Sequence, residues 1–363
     1  MTPTPHSTNP DWDTLLRWVH LGRPIHALSL PGLEARGRTL DGAVFHQCDL
    51  RGACFGGASL VGVTFVACDL RQSVFEQAVI ERTTFTGCAL DASIWKNTSG
   101  KLLTLVNCPL NHSQWQDSRW HKSSLHQSDL SNSRWDRAVL NRCALGDVRL
   151  SHSRWTQAQW EQCALHGADM RGLELDGLRA QTSALIGAIF SGQRLSQVAL
   201  QRCTLQGADF SDADLSHAHW PDCNAVDAVF ERTELHALQA PRLMAAGSRW
   251  QGCRATQAQL GGAVLQRAQM QNCDFGHADL RQTVWDQARL QQLSLSHTQL
   301  GHARFAHTQG NAVDFSHSQL EHADMHAAQW THCNFDGAGQ RGLRGTNPQL
   351  ASAEARALSL ENT

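Results

Sequence analysis

The chain has 363 residues, of which 41% are hydrophobic and 18% charged, and its formal net charge is −2. Thirty-three acidic against 31 basic residues leave no excess for electrostatic capture of nucleic acid, which needs a basic patch or stripe. No stretch stays apolar for the roughly 18 residues of a membrane-spanning helix, and 12 cysteines in so long a chain do not make a small secreted disulfide scaffold.

The first element is an N-terminal tail and capping helix, residues 1–27. Met1 to Pro10 is polar and lacks the apolar core of a signal peptide, so the expected compartment is the cytoplasm. Residues 9–21 read as an amphipathic helix, with Asn9 as N-cap, Pro10 at the first helical position and Asp11 beside the helix dipole. Trp12, Leu15, Leu16 and Val19 form its apolar stripe, and Gly22 and Pro24 stop it. Its expected role is a lid over the first coil of a repeat that begins near residue 28.

The second element, residues 28–340, has a period of five. Nearly every residue whose number ends in 5 or 0 is Leu, Phe, Trp, Met or Ile, and nearly every one two positions earlier is Ala, Ser, Thr, Cys or Val. A period of five suits neither a helix nor a flat strand. Short extended segments suit it, because side chains i and i+2 share a face. The other three positions of each five then point outward, and a turn closes every five residues.

The cysteines set the number of sides. All but Cys54 occupy the small inward position, and neighbours recur twenty apart: Cys48, Cys68, Cys88 and Cys108, then Cys143 and Cys163, Cys203 and Cys223, Cys253 and Cys273. Trp95, Trp115, Trp135 and Trp155 also step by twenty, each with Ser two residues before it. Twenty residues at five per side make four sides. These residues resemble the pentapeptide-repeat family, whose consensus is Ala-(Asp/Asn)-Leu-x-x. Close matches are Ala168-Asp169-Met170, Ala208-Asp209-Phe210, Ala213-Asp214-Leu215, Ala278-Asp279-Leu280 and Ala323-Asp324-Met325. The resemblance implies an all-β chain: a right-handed quadrilateral β-helix of about fifteen coils, about 70 Å long at the usual strand spacing. The register weakens around Gly100, at Leu173 to Ala180 and from Asn224 to Ala255, which reads as local irregularity rather than a domain boundary. Gly100 and Ala240 leave room where a large residue is expected, and Pro221 and Pro241 stack at one corner.

The third element, residues 341–363, is a C-terminal cap or tail. Asn347-Pro348 starts a short helix running through Glu354 toward Leu358, or else the same residues make one more weak coil. Relatives in this family dimerise through such a segment, which makes a homodimer one expectation.

Chemistry is hard to find. Inward cysteines behave as small buried hydrophobes. His277, His297 and His317 share one outward column and His302 and His322 another, but no Cys or carboxylate spacing completes a zinc pattern, and solvated polar columns are the expectation. Nucleophile, P-loop and dinucleotide motifs are missing, and a convex repeat surface gives no pocket to desolvate an active group. No enzyme, cofactor or metal is expected.

A rigid scaffold or adaptor for protein–protein interaction is the expected function, with bacterial type VI secretion as one setting for such repeats. The alternative implied by the family resemblance is a DNA mimic that binds gyrase, although duplex DNA carries one charge per about 1.7 Å and this chain is nearly neutral. The expected partner is a protein, with no nucleic acid and no membrane span. A candidate contact face lies on the side whose inward residues include Phe45, Phe65 and Phe85. Its outward residues are Val44, Thr64, Val66, Thr84, Thr104, Val106, Ser124, His126, Ala144, Ala164, Ala184, Ile186 and Thr204. None is charged, whereas the next sides carry Asp49, Asp69 and Arg149, or Arg134, Arg154 and Glu174.

Overall fold

A computed structural model describes residues 10–361. The chain is a parallel β-solenoid of about fifteen turns with two short helices, one of them N-terminal. It divides into two compact units, residues 1–179 and 180–363, and the division falls beside the weak register of Leu173 to Ala180.

The five-residue period translates directly into burial. In the first coils, Ala43, Phe45, Cys48, Leu50, Ala53, Phe55, Ala58 and Leu60 are all buried, so the small and large positions of every five point into the core. Residues ending in 2 or 7 close the turns with positive φ, such as Gly42 at 74° and Gln47 at 55°. An L-residue is sterically strained there, and Asn, Asp and His tolerate it better than most. That accounts for the wealth of Gly, Asn, Asp and His at these corners, including His277, His297, His302, His317 and His322.

Strand pairing fixes the coil at twenty residues. In the first unit Val44–His46 pairs in parallel with Thr64–Val66 in the register Val44↔Thr64 and Phe45↔Phe65. A seven-stranded parallel sheet runs from Ile25–His26 through Val44–His46, Thr64–Val66, Thr84–Thr86, Thr104–Val106 and Ser124–His126 to Ala144–Gly146. In the second unit a six-stranded sheet runs from Val229–Glu231 through Arg249–Gln251, Gln269–Gln271, Arg289–Gln291 and Gln309–Asn311 to Gln329–Thr331. Backbone amides and carbonyls pair between coils on all sides, as in Leu50 N–H to Asp69 O and Asp49 N–H to Leu28 O, both at 2.8 Å. Such pairing lets a narrow core exist without buried, unsatisfied backbone groups.

Like side chains stack inside. Trp95, Trp115, Trp135 and Trp155 lie parallel, with ring centroids 4.4–4.6 Å apart. Phe75 stacks on Trp95 at 4.0 Å, and Phe55 on Phe75 at 5.1 Å. Each indole N–H in the ladder donates to the serine two residues before it, from Trp95 to Ser93 at 2.8 Å through Trp155 to Ser153 at 2.8 Å. The small inward position is therefore more than a space. Its hydroxyls also cap carbonyls, as Thr83 Oγ1 does to Leu60 O at 2.6 Å.

The first helix, α1, spans Trp12–His20, and its N-cap is Asp11, whose side chain accepts from Thr14 N–H at 2.8 Å. Asn9, the cap expected from sequence, lies outside the described residues, and Pro10 precedes the cap rather than opening the helix. Asp11 wins because its carboxylate reaches the third helical amide and meets the positive end of the dipole. Gly22, with φ 63°, ends the helix through its N–H to Val19 O at 2.9 Å. Leu15 is fully buried. At the other end Pro348–Glu361 forms the second helix, α2, rather than another coil. Asn347 caps it by accepting from Gln349 N–H at 3.0 Å and Leu350 N–H at 3.3 Å.

The gap expected at Gly100 is filled. A Cβ there would come within 2.5 Å of Trp120, whose ring lies over the glycine from the next coil. Gly310 and Trp330 repeat the arrangement. Ala240 is fully buried in the core.

Candidate functional site

The charge-free side is a continuous sheet face in the first unit. Val44, Thr64, Val66, Thr84, Thr104, Val106, Ser124, His126, Ala144 and Ala164 are each half-buried, shielded by their counterparts one coil away. Thr64↔Thr84↔Thr104↔Ser124 pair in register, and Ala144 bridges to Ala164. The ring of His126 lies over Gly146, where a Cβ would come within 2.5 Å of Nδ1, so the glycine lets the imidazole lie along the face. His26 and His46 meet at their Nδ1 atoms, 3.1 Å apart, at the N-terminal end of the strip. Ala184, Ile186 and Thr204 belong to the second unit, where Ala184 bridges to Thr204 and Ile186 is exposed.

The flanking sides look different because they carry charge, much of it satisfied locally. Arg51, Arg71, Arg171 and Arg281 each fold back on the aspartate two residues earlier with a two-point contact, for example Arg281 Nε to Asp279 Oδ1 at 2.8 Å and Nη2 to Oδ2 at 2.6 Å. The guanidinium hydrogen bond holds each of these carboxyls below the usual aspartate range. Arg137, Arg232 and Arg242 instead reach a carboxylate one coil back: Asp117, Asp212 and Asp222.

The cysteine ladders are interior. Eleven of the 12 cysteines are buried and Cys333 is partly so. Cys143 Sγ lies 3.4 Å from Trp120 O, and Cys163 Sγ 3.3 Å from Leu140 O, which places the thiols against backbone carbonyls of the preceding coil. Burial pushes the Cys108 thiol up to about 11. A thiolate needs an exposed, electropositive setting, and these positions are the reverse. Cys54, the one cysteine at an outward position, is buried beside Arg36, whose Nη2 lies 3.2 Å from Sγ.

The outward histidine columns stack as parallel rings, with His277–His297 and His297–His317 each at 4.9 Å and His302–His322 at 5.1 Å. Among the described residues a different trio brings three ligand-type atoms within 4.8 Å of one another: His307, His326 and Glu354. Sequence reading missed it because its third member sits on α2, far along the chain. The only hint was a turn histidine, His307, with His326 one coil on. His326 is 5% exposed, and its two nitrogens face different partners. Nδ1 accepts from Asn347 N–H at 3.1 Å, so Nε2 carries the proton and donates to Glu354 Oε2 at 3.1 Å. A metal on Nε2 would move that proton to Nδ1 and set it against the Asn347 N–H. The trio thus fits a hydrogen-bonded clasp rather than a metal centre. It pins the cap and the second turn of α2 to the last coils. The His326 contact, with that of His307 at 3.3 Å, holds the Glu354 carboxyl below its usual value.

Comparison with known proteins agrees with this architecture. The chain matches the pentapeptide repeat region family over residues 39–115 and 268–340, and the eight-copy pentapeptide repeats over 143–177, 183–216, 208–239 and 251–282. No curated protein matches it. Among solved structures it is similar to trypsin-treated QnrB1, a plasmid-mediated fluoroquinolone resistance protein, at 21% identity and TM-score 0.29, covering 55% of this chain and 97% of that one. HetL, a pentapeptide repeat protein involved in heterocyst differentiation regulation from the cyanobacterium Nostoc sp. strain PCC 7120, matches at 17% identity and TM-score 0.19, covering 92% and 97%. No helix among the described residues is long and apolar enough to cross a membrane. The chain belongs to the pentapeptide-repeat family.

Proposed function

We propose that the protein is a non-enzymatic adaptor that binds another protein through the uncharged sheet face of its first unit. The observation that carries this reading is the run of half-buried Val, Thr, Ser, Ala and His from Val44 to Ala164 with no Asp, Glu, Lys or Arg. Interface centres are depleted in charge, and short side chains held by their ladder neighbours lose little entropy on docking. On the other sides, two-point Arg–Asp contacts neutralise charge locally and resist desolvation.

The test is the triple substitution T104E/S124E/A144E. The positions point outward but are half-buried and pair in register, so three stacked glutamates repel one another and some stability is lost; the variant's folding is therefore checked by its melting curve before binding is read. Immobilised wild-type protein should retain a protein partner that the triple variant loses. A variant carrying charge changes on the second unit should keep that partner. Unchanged retention by the folded triple variant would sink the proposal. Light scattering on both proteins separates a second copy of this chain from a different partner.

A further inference from the structure

We infer that the second unit carries a separate binding groove for an extended, acidic polypeptide segment, lined by Gln269, Gln271, Gln291, Gln309, Arg249 and Arg289. The inference extends the adaptor reading by naming the chemistry of a partner segment, and it concerns a different unit from the uncharged face.

The groove arises from how a strand of three residues sits on a solenoid side. Its central residue points in, and the residues before and after it point out. In the last five strands of the six-stranded sheet the positions before the inward residue read Arg249, Gln269, Arg289, Gln309 and Gln329, and those after it Gln251, Gln271, Gln291, Asn311 and Thr331; Val229 and Glu231 of the first strand lie outside the groove lining. All ten are exposed. They make two walls around a groove of about 560 Å³, with Trp250, Met270, Leu290 and Gly310 along its floor. A second hollow of about 750 Å³ continues it toward α2, adding Arg267, Gln287 and His307.

Two features select the occupant. A carboxamide offers both a donor and an acceptor, so a double row of them can serve the N–H and C=O groups of an extended peptide whatever its side chains. The guanidiniums add sign. Arg249, Arg267 and Arg289 have no carboxylate partner among the described residues, whereas Arg232, Arg242, Arg254, Arg281 and Arg304 of the same unit are each ion-paired. Glu354, the carboxylate at the far end of the second hollow, is engaged by His326 and His307. An unneutralised groove in a chain of net charge −2 is complementary to acidic side chains. Single-stranded nucleic acid fits less well, because its binding sites supply exposed aromatic platforms, and Trp250 on the floor is buried.

Fluorescence anisotropy tests the assignment with a short labelled peptide of alternating Glu and Thr, its Gln–Thr analogue and single-stranded oligothymidine. The acidic peptide should bind at least about tenfold tighter than the neutral one, a difference of about 1.4 kcal/mol. R249E/R289E should abolish that preference, and R249Q/R289Q, which keeps the groove's shape and polarity, should reduce acidic-peptide binding to the level of the neutral peptide. Wild-type and variant proteins should melt together. Equal binding of the two peptides, or acidic binding unchanged in both double variants, overturns the inference. So does tighter binding of oligothymidine, or a loss of self-association in the variants, which would make a second copy the occupant. T104E/S124E/A144E should bind the acidic peptide like wild type, so failure of the groove and failure of the uncharged face read out separately.

Discussion

At the scale of single residues, the small inward position decides more than volume. Trp95, Trp115, Trp120, Trp135, Trp155 and Trp250 have Ser two residues earlier and Trp285 has Thr, and each indole N–H is satisfied by that hydroxyl. Trp220 and Trp330 have Ala218 and Ala328 there, and their indole nitrogens have no hydrogen-bond partner. A buried donor left unmade costs about 1–3 kcal/mol. Ser133→Ala should therefore destabilise by about that amount in urea unfolding, by orphaning Trp135. Ala218→Ser should stabilise by about 1 kcal/mol by giving Trp220 the acceptor that its ladder counterparts have. A stabilising Ser133→Ala, or no gain from Ala218→Ser in a folded protein, would show that the serines act only as spacers. The corner positions make a parallel case. Ala67 sits at φ 52° in the left-handed region. Ala67→Gly removes that strain and should raise stability by about 0.5–1 kcal/mol despite glycine's greater freedom in the unfolded chain.

At the scale of elements, the coil and the N-terminal helix were legible in the sequence, the C-terminal helix was one of two readings, and the contacts that fix the ends were not legible. The five-residue register and the twenty-residue spacing of Cys and Trp are set by side chains stacked on their own kind, so they survive in the string of letters. The uncharged side was visible for the same reason, as two columns without Asp, Glu, Lys or Arg. The double-walled Gln and Arg groove obeys the same rule, but its distinguishing property is unpaired charge. Pairing depends on side-chain direction, which a column of letters does not carry. The ends depend on single contacts. Asp11 rather than Asn9 caps α1 because its carboxylate reaches Thr14 N–H. The α2 helix is held by His326, which no period predicts. If that clasp fixes α2, Glu354→Gln should weaken it and His326→Ala should weaken it further, since the latter loses contacts to both Asn347 and Glu354. Limited trypsin digestion should then cut faster at the exposed Arg356 in both variants, with His326→Ala the faster. Equal cutting rates in wild type and His326→Ala would show that α2 is held by other contacts.

At the scale of the whole molecule, stability should be bounded on both sides of pH, by different groups. Asp49, Asp69, Asp169 and Asp279 are held below the usual range by arginine hydrogen bonds. A carboxyl with a depressed folded pKa contributes stability above its unfolded value of about 3.9, and that contribution is lost as pH falls through the folded value. These pairs are solvent-exposed, so each gives a modest acid shoulder below about pH 4. The alkaline side is steeper. Burial raises the Cys108 thiol to about 11. An unfolded thiol loses its proton near 8.5. Between these values the unfolded chain binds fewer protons than the folded one, so stability is complete below about 8.5 and falls as pH rises toward the folded value. Cys108 alone accounts for a loss on the order of 2–3 kcal/mol across that window. The chain contains no tyrosine and only three lysines, Lys96, Lys101 and Lys122, so few groups besides thiols titrate there. Urea unfolding of the reduced protein should show a midpoint that is flat from neutral pH to about 8.5 and declines beyond it. Cys108→Ser keeps a small inward residue with no titrating proton, and should flatten the decline measurably even if it lowers the plateau. An alkaline slope identical in Cys108→Ser and wild type would assign the loss to groups other than Cys108, among them Cys68, whose thiol is also raised to about 11.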